Sequence, residues 1–490
     1  MKINSIKMNA SLNILYTVSN IVFPLVTFPY VSRILSADGL GKVSFFTAVA
    51  NYAIMLASLG ISTYGIRATA KVREDKKELS KVTVELFCIN MISTAIVIVA
   101  LLLSIPIVDK FASEKVLLFI NIALVFSSVL GLNWLYSGLE QYSYITKRSI
   151  IFKIISLFLI FLFVNEKADY LIYAFISVFS ISGSYILNLW YSKKFISLKN
   201  IGKLELKKHF KPMMILFASI FAVNIYTNLD TVMLGFISGD REVGLYTVSV
   251  KVKGLLLSSV NALSAVLLPR LSYYLSINET DCFNRILKKS TTVIPMIAVP
   301  LTAFFILETN ESILLLGGTE FLDAALCMKI IMPILLISSF SNITGNQVLI
   351  PLGKDSQFMI AVMTGAFIDL LLNVLLIPEF GAVGAAVSTL IAECTQMAIQ
   401  LKYTWNYIAK NIQAKSIVKI ITATLGCCII TVILQNLVHI PLFEKEINTL
   451  INLGIYAFVY FVIYGIMLLL LKERYTCDIF SKLLNCVRKF

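Results

Sequence analysis

The chain is poor in charge and in histidine. Charged residues make up 14% of its 490 residues, and histidine occurs only twice, at His209 and His439. Hydrophobic residues make up 58% of the chain, and the mean hydropathy is +0.85. A soluble globular protein cannot bury that much apolar surface, because the buried fraction rises too slowly with mass. The composition therefore predicts a polytopic membrane protein, and we expect no metal site.

Motifs of several enzyme classes are also missing. The three Gly-Lys pairs continue as GKV, GKL and GKD, so the chain has no Walker A loop for direct ATP hydrolysis. Neither G-x-S-x-G nor H-E-x-x-H occurs, and the eight cysteines form no C-x-x-C pair. No loop between apolar runs is longer than about 20 residues, too short for a folded catalytic domain. We therefore expect a transporter without a cofactor, rather than an enzyme.

Apolar runs and basic loops alternate along the chain. The runs predict an all-α polytopic membrane protein with about 14 transmembrane helices. The fifth is predicted over residues 150–164, with an extension back to Lys147 as the alternative. Alternate loops are basic, among them residues 67–81 and 193–211. By the positive-inside rule these loops and both termini face the cytoplasm. The net charge of +14 thus reflects membrane orientation, and no nucleic acid partner is expected. The less basic loops, expected outside, include residues 36–42, 108–115, 165–169 and 238–244.

A weak internal repeat suggests the domain organisation. Residues 34–41 and 236–244 each contain a short S-x-D turn between two apolar runs. Their separation of roughly 200 residues predicts two six-helix bundles, as in secondary transporters with repeated halves and a site near the membrane midplane. The predicted domains are an N-terminal bundle (1–192), a basic cytoplasmic linker (193–211), a second bundle (212–402), transmembrane helices 13 and 14 (403–471) and a basic cytoplasmic tail (472–490).

Four stretches in chain order carry a family resemblance. They are RIL at 33–35 with DGLG at 38–41; NWLYSGLEQYSYITKR at 133–148; Asp230 with VGLY at 243–246, Lys251 and LPR at 268–270; and IPLGKD at 350–355 with Asn373 and residues 377–386. These stretches resemble the oligosaccharide-repeat flippases of the Wzx type, in the MOP superfamily with MATE exporters and MurJ-type flippases. Ser137 stands where a Gln is expected, which puts any polar role there in doubt.

The resemblance implies a function and a set of partners. It implies a flippase that moves polyprenyl-diphosphate-linked oligosaccharides to the outer leaflet of a bacterial cytoplasmic membrane, by alternating access around a cationic central cavity. The exported glycan would become O-antigen, capsule or exopolysaccharide. The implied partners are the lipid-linked oligosaccharide, membrane lipids, and polysaccharide polymerase and chain-length proteins.

Charges inside the apolar runs are the candidate binding residues. A charge at a helix centre costs about 2.5–3.5 kcal/mol on insertion, so such residues usually pair or bind something. Lys251 suits a diphosphate as a point charge, although an ion pair between Asp230 and Lys251 is an equally good interpretation. Lys253 lies about 200° around the helix from Lys251, so the two cannot both face one narrow cavity. Lys329 lies near a helix end, where the simpler interpretation is that its side chain extends to the membrane surface.

Neutral and acidic residues complete the candidate sites. Sugar hydroxyls need hydroxyl, amide and aromatic partners. The first and seventh predicted helices offer six such residues: Asn13, Tyr16, Asn20, Asn224, Tyr226 and Asn228. Asp369 and Glu393 lie near the middle of later helices and are candidates for proton or sodium coupling, with interhelical hydrogen bonding as the alternative.

Three other functions compete with this interpretation. A MATE-like ion-coupled drug exporter should have an acidic cavity, whereas the intramembrane lysines here favour an anionic substrate. A MurJ-type flippase for peptidoglycan precursor is close in chemistry but matches fewer of the motifs. A glycan polymerase would need a larger outside loop with Arg or His than the chain contains.

Overall fold

The structure, a computed structural model, describes residues 6–199, 201–224, 228–437 and 445–487. Its contacts divide the chain into two compact units, residues 1–244 and 245–490. The described residues form helices and loops without a β-strand, which confirms the predicted all-α fold class. The finer division into two six-helix bundles with two added helices stays a prediction.

Within its described residues, the N-terminal unit contains ten α-helices and the start of an eleventh. Their bounds are α1 Ile6–Ser58, α2 Ile61–Lys71, α3 Lys76–Ser104, α4 Asp109–Ser113, α5 Lys115–Leu130, α6 Asn133–Gly138, α7 Tyr142–Phe163, α8 Tyr170–Ser192, α9 Lys207–Asn224, α10 Leu229–Ile237 and α11 Asp240–Ser276. The C-terminal unit continues with α12 Thr280–Leu307, α13 Thr309–Leu316, α14 Ala325–Asn342, α15 Asp355–Asn411, α16 Ala414–Leu437, α17 Lys445–Leu470 and α18 Arg474–Val487. A π-helix, Ile343–Leu349, follows α14 directly.

Two of the described helices are each long enough for two membrane crossings. Helix α1 has 53 residues and α15 has 57, whereas about 20 residues span a bilayer. Each is broken by one non-helical residue, Ser36 at φ 64° and Gly381 at φ 50°. A Cβ on Gly365 would lie 3.2 Å from the carbonyl oxygen of Ala392, so the two halves of α15 pack side by side. The breaks therefore let each long helix cross the membrane twice.

The length and composition of the helices confirm a multi-pass membrane protein. Within the described ranges, ten helices are long and apolar enough to cross a membrane, and α1 and α15 are two of them. Helix α7 is also long enough, with 22 residues, but it carries Lys147, Arg148 and Lys153. The predicted start of this helix at residue 150 was wrong, because the helix begins at Tyr142. Lys147, Arg148 and Lys153 therefore lie within the helix, and the side chains of Arg148 and Lys153 have polar partners inside the bundle.

The two kinds of loop lie at the two ends of α3 in the N-terminal unit. At one end, Lys42 pairs with Glu114, the hydroxyl of Tyr170 donates to Glu114 Oε2 over 2.9 Å, and Lys110 Nζ lies 2.6 Å from Asp240 Oδ1. These five residues, the paired-charge cluster, join three of the less basic loops named above to Tyr170, the first residue of α8, which directly follows the fourth loop. At the other end, Lys81 pairs with Glu205, which joins the basic loops 67–81 and 193–211, and Arg73 pairs with Glu140 in the connection between α6 and α7. The alternation of loop types predicted from the sequence is therefore present in this unit.

The two S-x-D turns cross each other beside the paired-charge cluster. A Cβ on Gly41 would lie 1.7 Å from the carbonyl oxygen of Asp240, and a Cβ on Gly244 would lie 2.1 Å from that of Ala37. Real Cβ atoms essentially never approach a carbonyl oxygen so closely, so both positions require glycine. The glycine of each turn thus contacts the backbone of the other turn. Such a reciprocal contact is expected between two copies of a repeated turn.

Candidate functional site

Helix α7 carries two cations into the interior of the N-terminal unit. The side chain of Arg148 is buried, at 6% exposure, and that of Lys153 is half-buried. Lys153 lies near the middle of the helix, about 15 Å from either end at 1.5 Å per residue. We call Arg148, Lys153 and their side-chain partners the α7 cation cluster.

Arg148 is held by neutral groups. Its Nη2 donates to Asn133 Oδ1 over 3.0 Å, and its Nη1 donates to Asn188 Oδ1. The guanidinium carbon lies 5.6 Å from the ring centre of Tyr144 and 5.8 Å from that of Tyr185. Its Nε is buried without a hydrogen-bond partner among the described atoms. The arginine therefore ties α6, α7 and α8 together while keeping an uncompensated charge.

The resemblance motif at residues 133–148 builds the surroundings of this arginine. Leu132 adopts φ 42° immediately before α6, and the amide of Asn188 donates to the carbonyl oxygen of Gly131 at this break. The hydroxyl of Tyr136 donates to the carbonyl oxygen of Asn188. The rings of Tyr144 and Tyr191 stack with centroids 3.9 Å apart. The motif thus fixes a short broken helix, which holds Asn133 against Arg148.

Lys153 is also surrounded by neutral partners, all of them on α1. Its Nζ donates to Ser19 Oγ over 3.0 Å and to Asn20 Oδ1, and it lies 5.4 Å from the ring centre of Tyr16. In the part of the unit that the structure describes, no carboxylate lies within 4.0 Å of Lys153 or Arg148. Asn20, predicted as a sugar partner, therefore contacts a cation that the sequence reasoning did not select.

One feature of the sequence could have identified Lys153 as a candidate: it is an isolated charge in an apolar run. It is the only charged residue between Ile150 and Val164, a run that is otherwise apolar except for Ser156. The predicted helix 150–164 contained it near the start, because the helix was begun eight residues too late. From Tyr142 onwards the same run places Lys153 at mid-helix.

Two of the remaining predicted residues of the N-terminal unit, Asn228 and Asp230, lie at the start of α10. Asp230 is buried in the first turn of α10, and the side chain of Asn228, at the N-cap, accepts a hydrogen bond from Asn51 Nδ2 over 3.5 Å. The side chain of Asn224 and the whole of Tyr226 lie outside the described residues. Their predicted role in sugar binding stays a prediction.

The three candidate lysines of the C-terminal unit are accessible. Lys251 on α11 and Lys329 on α14 are exposed, and Lys253 on α11 is half-buried. Inside this unit, as far as it is described, none of them makes a hydrogen bond or an ion pair. Whether Lys251 pairs with Asp230 stays open, as it was from the sequence.

The two candidate coupling carboxylates lie on the two halves of α15. Asp369 is fully buried and Glu393 is 7% exposed, and Asn373 Nδ2 donates to Asp369 Oδ2 over 3.4 Å. The two residues are equally far along the chain from the break at Gly381. Because the halves pack side by side, both carboxylates lie at a similar depth.

Comparison with known proteins agrees with the resemblance. Residues 6–275 match the model of the family described as "Polysaccharide biosynthesis protein". An Escherichia coli K12 protein named "Putative O-antigen transporter" is 25% identical over 414 residues, covering 82% of this chain and 98% of that protein.

Two solved structures share the fold. The lipid II flippase MurJ in an inward closed conformation superposes with a TM-score of 0.73 at 14% identity, covering 93% of this chain and 99% of MurJ. A multidrug resistance MATE transporter of the MOP superfamily in an inward-facing conformation gives 0.59 at 13% identity, covering 81% and 94%. These relatives are named as transporters or flippases and not as enzymes, as the sequence predicts. The chain belongs to the polysaccharide biosynthesis protein family, and it shares its fold with MurJ and the MATE transporter.

Proposed function

We propose that the protein is a flippase for polyprenyl-diphosphate-linked oligosaccharide repeat units. It moves them by alternating access from the cytoplasmic to the outer leaflet of a bacterial cytoplasmic membrane, with both termini in the cytoplasm. The family match supports this proposal, as do relatives named for O-antigen transport and for flipping lipid II. The glycan then enters O-antigen, capsule or exopolysaccharide, with polymerase and chain-length proteins as partners.

The observation that carries the proposal is the α7 cation cluster. Two cations lie inside the membrane bundle, and among the described residues their partners are amides, hydroxyls and aromatic rings instead of carboxylates. Neutral dipoles lower the cost of burying a charge but do not cancel it. A diphosphate headgroup supplies the missing negative charge, while the polyprenyl tail remains in the bilayer. A carrier of cationic drugs would instead be destabilised by binding its substrate beside these residues.

Each residue then has a role in binding. Lys153 binds the diphosphate as a mobile point charge, and Ser19 and Asn20 exchange their bonds to Lys153 for bonds to the headgroup or first sugar. Arg148 holds α6, α7 and α8 in position and adds positive electrostatic potential near the bound diphosphate. Lys251 supplies a second cationic contact during transport, and Asp369 and Glu393 couple transport to protons or sodium.

The proposal is tested in a deletion strain that carries variants of the gene. Lys153→Ala and Lys251→Ala should each abolish surface polysaccharide while lipid-linked repeat units accumulate, and the Arg variants should retain part of the export. Lys199→Ala, which removes an exposed charge from the basic linker, is the matched control. Membrane abundance of each variant is measured by immunoblotting.

Two results would contradict the proposal. Normal surface glycan in the Lys153→Ala strain at normal abundance would remove Lys153 from the binding site. Unchanged surface glycan in the deletion strain, together with increased sensitivity to cationic drugs or dyes, would favour the MATE-like exporter.

A further inference from the structure

A separate basic cavity lies between α2 and α9 in the N-terminal unit. Its volume is about 540 Å³, and one wall is formed by Tyr64, Arg67 and Lys71 of α2. These three residues recur every three or four positions, so they project from consecutive turns on one face of the helix. The opposite wall is apolar, formed by residues 212, 215 and 216 of α9.

The two cations of this cavity are available to a ligand. Arg67 and Lys71 are exposed, and neither makes a hydrogen bond or an ion pair with the described residues of the unit. Ile215 on the opposite wall is 61% exposed, as a side chain that faces lipid would be. The cavity therefore combines two unpaired positive charges with an open apolar surface.

We propose that this cavity binds an anionic phospholipid of the surrounding membrane. The lipid phosphate lies between Arg67 and Lys71, where the guanidinium can make two parallel hydrogen bonds to it. The upper part of an acyl chain lies along Pro212 and Ile215. Charge complementarity and the apolar wall together favour a phospholipid over a free anion, which would leave the wall unused. Basic residues at a membrane surface attract anionic lipids in the same way.

A bound lipid would also stabilise the basic segment 193–211, which leads into α9. The hydroxyl of Tyr64, in the cavity wall, lies 2.8 Å from His209 Nδ1. His209 Nε2 lies 2.8 Å from Glu85 Oε2, and the backbone N–H of Glu205 donates to Glu85 Oε1 over 2.8 Å. Lys208 Nζ lies 3.0 Å from Glu85 Oε2. Because Tyr64 connects the cavity to this buried network, the lipid braces the segment as well as filling the cavity.

The first test measures lipid retention by native mass spectrometry of the full chain in detergent, with added phosphatidylglycerol or phosphatidylcholine. The double variant Arg67→Gln/Lys71→Gln should bind phosphatidylglycerol about 30-fold more weakly, roughly fivefold for each basic residue. Its retention of phosphatidylcholine should not change. The control Lys203→Gln/Lys207→Gln removes the same charge from exposed positions of the basic segment and should bind like the wild type. Unchanged retention in the first variant, or an equal loss in the control, would overturn the proposal.

Two further measurements separate this site from the transport site. Excess long-chain polyprenyl diphosphate should leave phosphatidylglycerol bound; its displacement would assign the cavity to the transport substrate and overturn the lipid site, without weakening the proposed flippase function. Phosphatidylglycerol should also slow amide hydrogen exchange in residues 193–211 of the wild type but not of Arg67→Gln/Lys71→Gln. Equal exchange with and without the lipid would contradict the bracing through Tyr64.

Discussion

Two groups of basic residues in the N-terminal unit have opposite surroundings. In the paired-charge cluster, Lys42 and Lys110 each contact a carboxylate, of Glu114 and Asp240 respectively. In the α7 cation cluster, Arg148 and Lys153 contact only neutral groups among the described residues. Burial does not explain why the two groups have different partners, because Lys110 and Lys153 are both half-buried.

The comparison distinguishes a structural charge from one that is available for binding. A cation paired with a carboxylate adds no net charge to its surroundings, so it can join loops without attracting an anion. A cation held by amides and hydroxyls is oriented but remains electrostatically uncompensated. The α7 cations are therefore suited to a negatively charged ligand, whereas the paired lysines hold the loop end of the bundle together.

The largest effect should come from Gly41→Val. The new side chain would overlap the carbonyl oxygen of Asp240, separate the two crossing turns and break the pairing of Lys110 with Asp240. We expect a loss of more than about 4 kcal/mol in the free energy of unfolding, measured as a collapse of the monodisperse yield in fluorescence-detected gel filtration. Gly454→Val is the control, since a Cβ at Gly454 meets nothing within 4 Å. A normal yield of Gly41→Val would show that the crossing is not required.

A smaller effect is expected for Arg148→Met. The change keeps much of the side-chain volume but leaves the amides of Asn133 and Asn188 without their shared donor, at a cost of about 2 kcal/mol. Thermal unfolding of the purified protein measures this loss, and Arg148→Lys should restore part of it. If Arg148→Met were as stable as the wild type, the arginine would not position α6 and α8.

The smallest effect should come from the paired-charge cluster. A double-mutant cycle with Lys110→Gln and Asp240→Asn should give a coupling free energy of about 1 kcal/mol or less, read from the thermal unfolding of the four proteins. Polysaccharide export should stay normal in all of them. A strong loss of export in Lys110→Gln at normal abundance would erase the distinction between the two groups of cations.

The sequence predicted the features that depend on the membrane itself. Apolar run length and the alternation of basic loops indicated an all-α multi-pass fold, because the bilayer imposes helix length and charge placement directly. The conformational breaks at Ser36 and Gly381 could be anticipated only as turns between apolar runs. The reciprocal contact of Gly41 and Gly244 could not be predicted, since it depends on which turns meet in space.

The site was less predictable for the same reason. Asn20 was selected as a polar residue of the first helix, but its contact with Lys153 depends on α1 and α7 being neighbours. Lys251 was selected because it lies inside an apolar run, and Lys153 satisfies that criterion equally well once α7 begins at Tyr142. The contrast between paired and unpaired cations needs three-dimensional contacts and cannot be read from composition.

The most direct test of the central claim is the affinity of the purified protein for a long-chain polyprenyl diphosphate in lipid nanodiscs. Lys153→Ala should weaken binding about 30-fold, the loss of one charge-assisted contact of about 2 kcal/mol, whereas Lys110→Gln should bind within about twofold of the wild type. Equal affinity of Lys153→Ala and the wild type, or an equal loss in Lys110→Gln, would contradict the assignment of the α7 cations to an anionic headgroup.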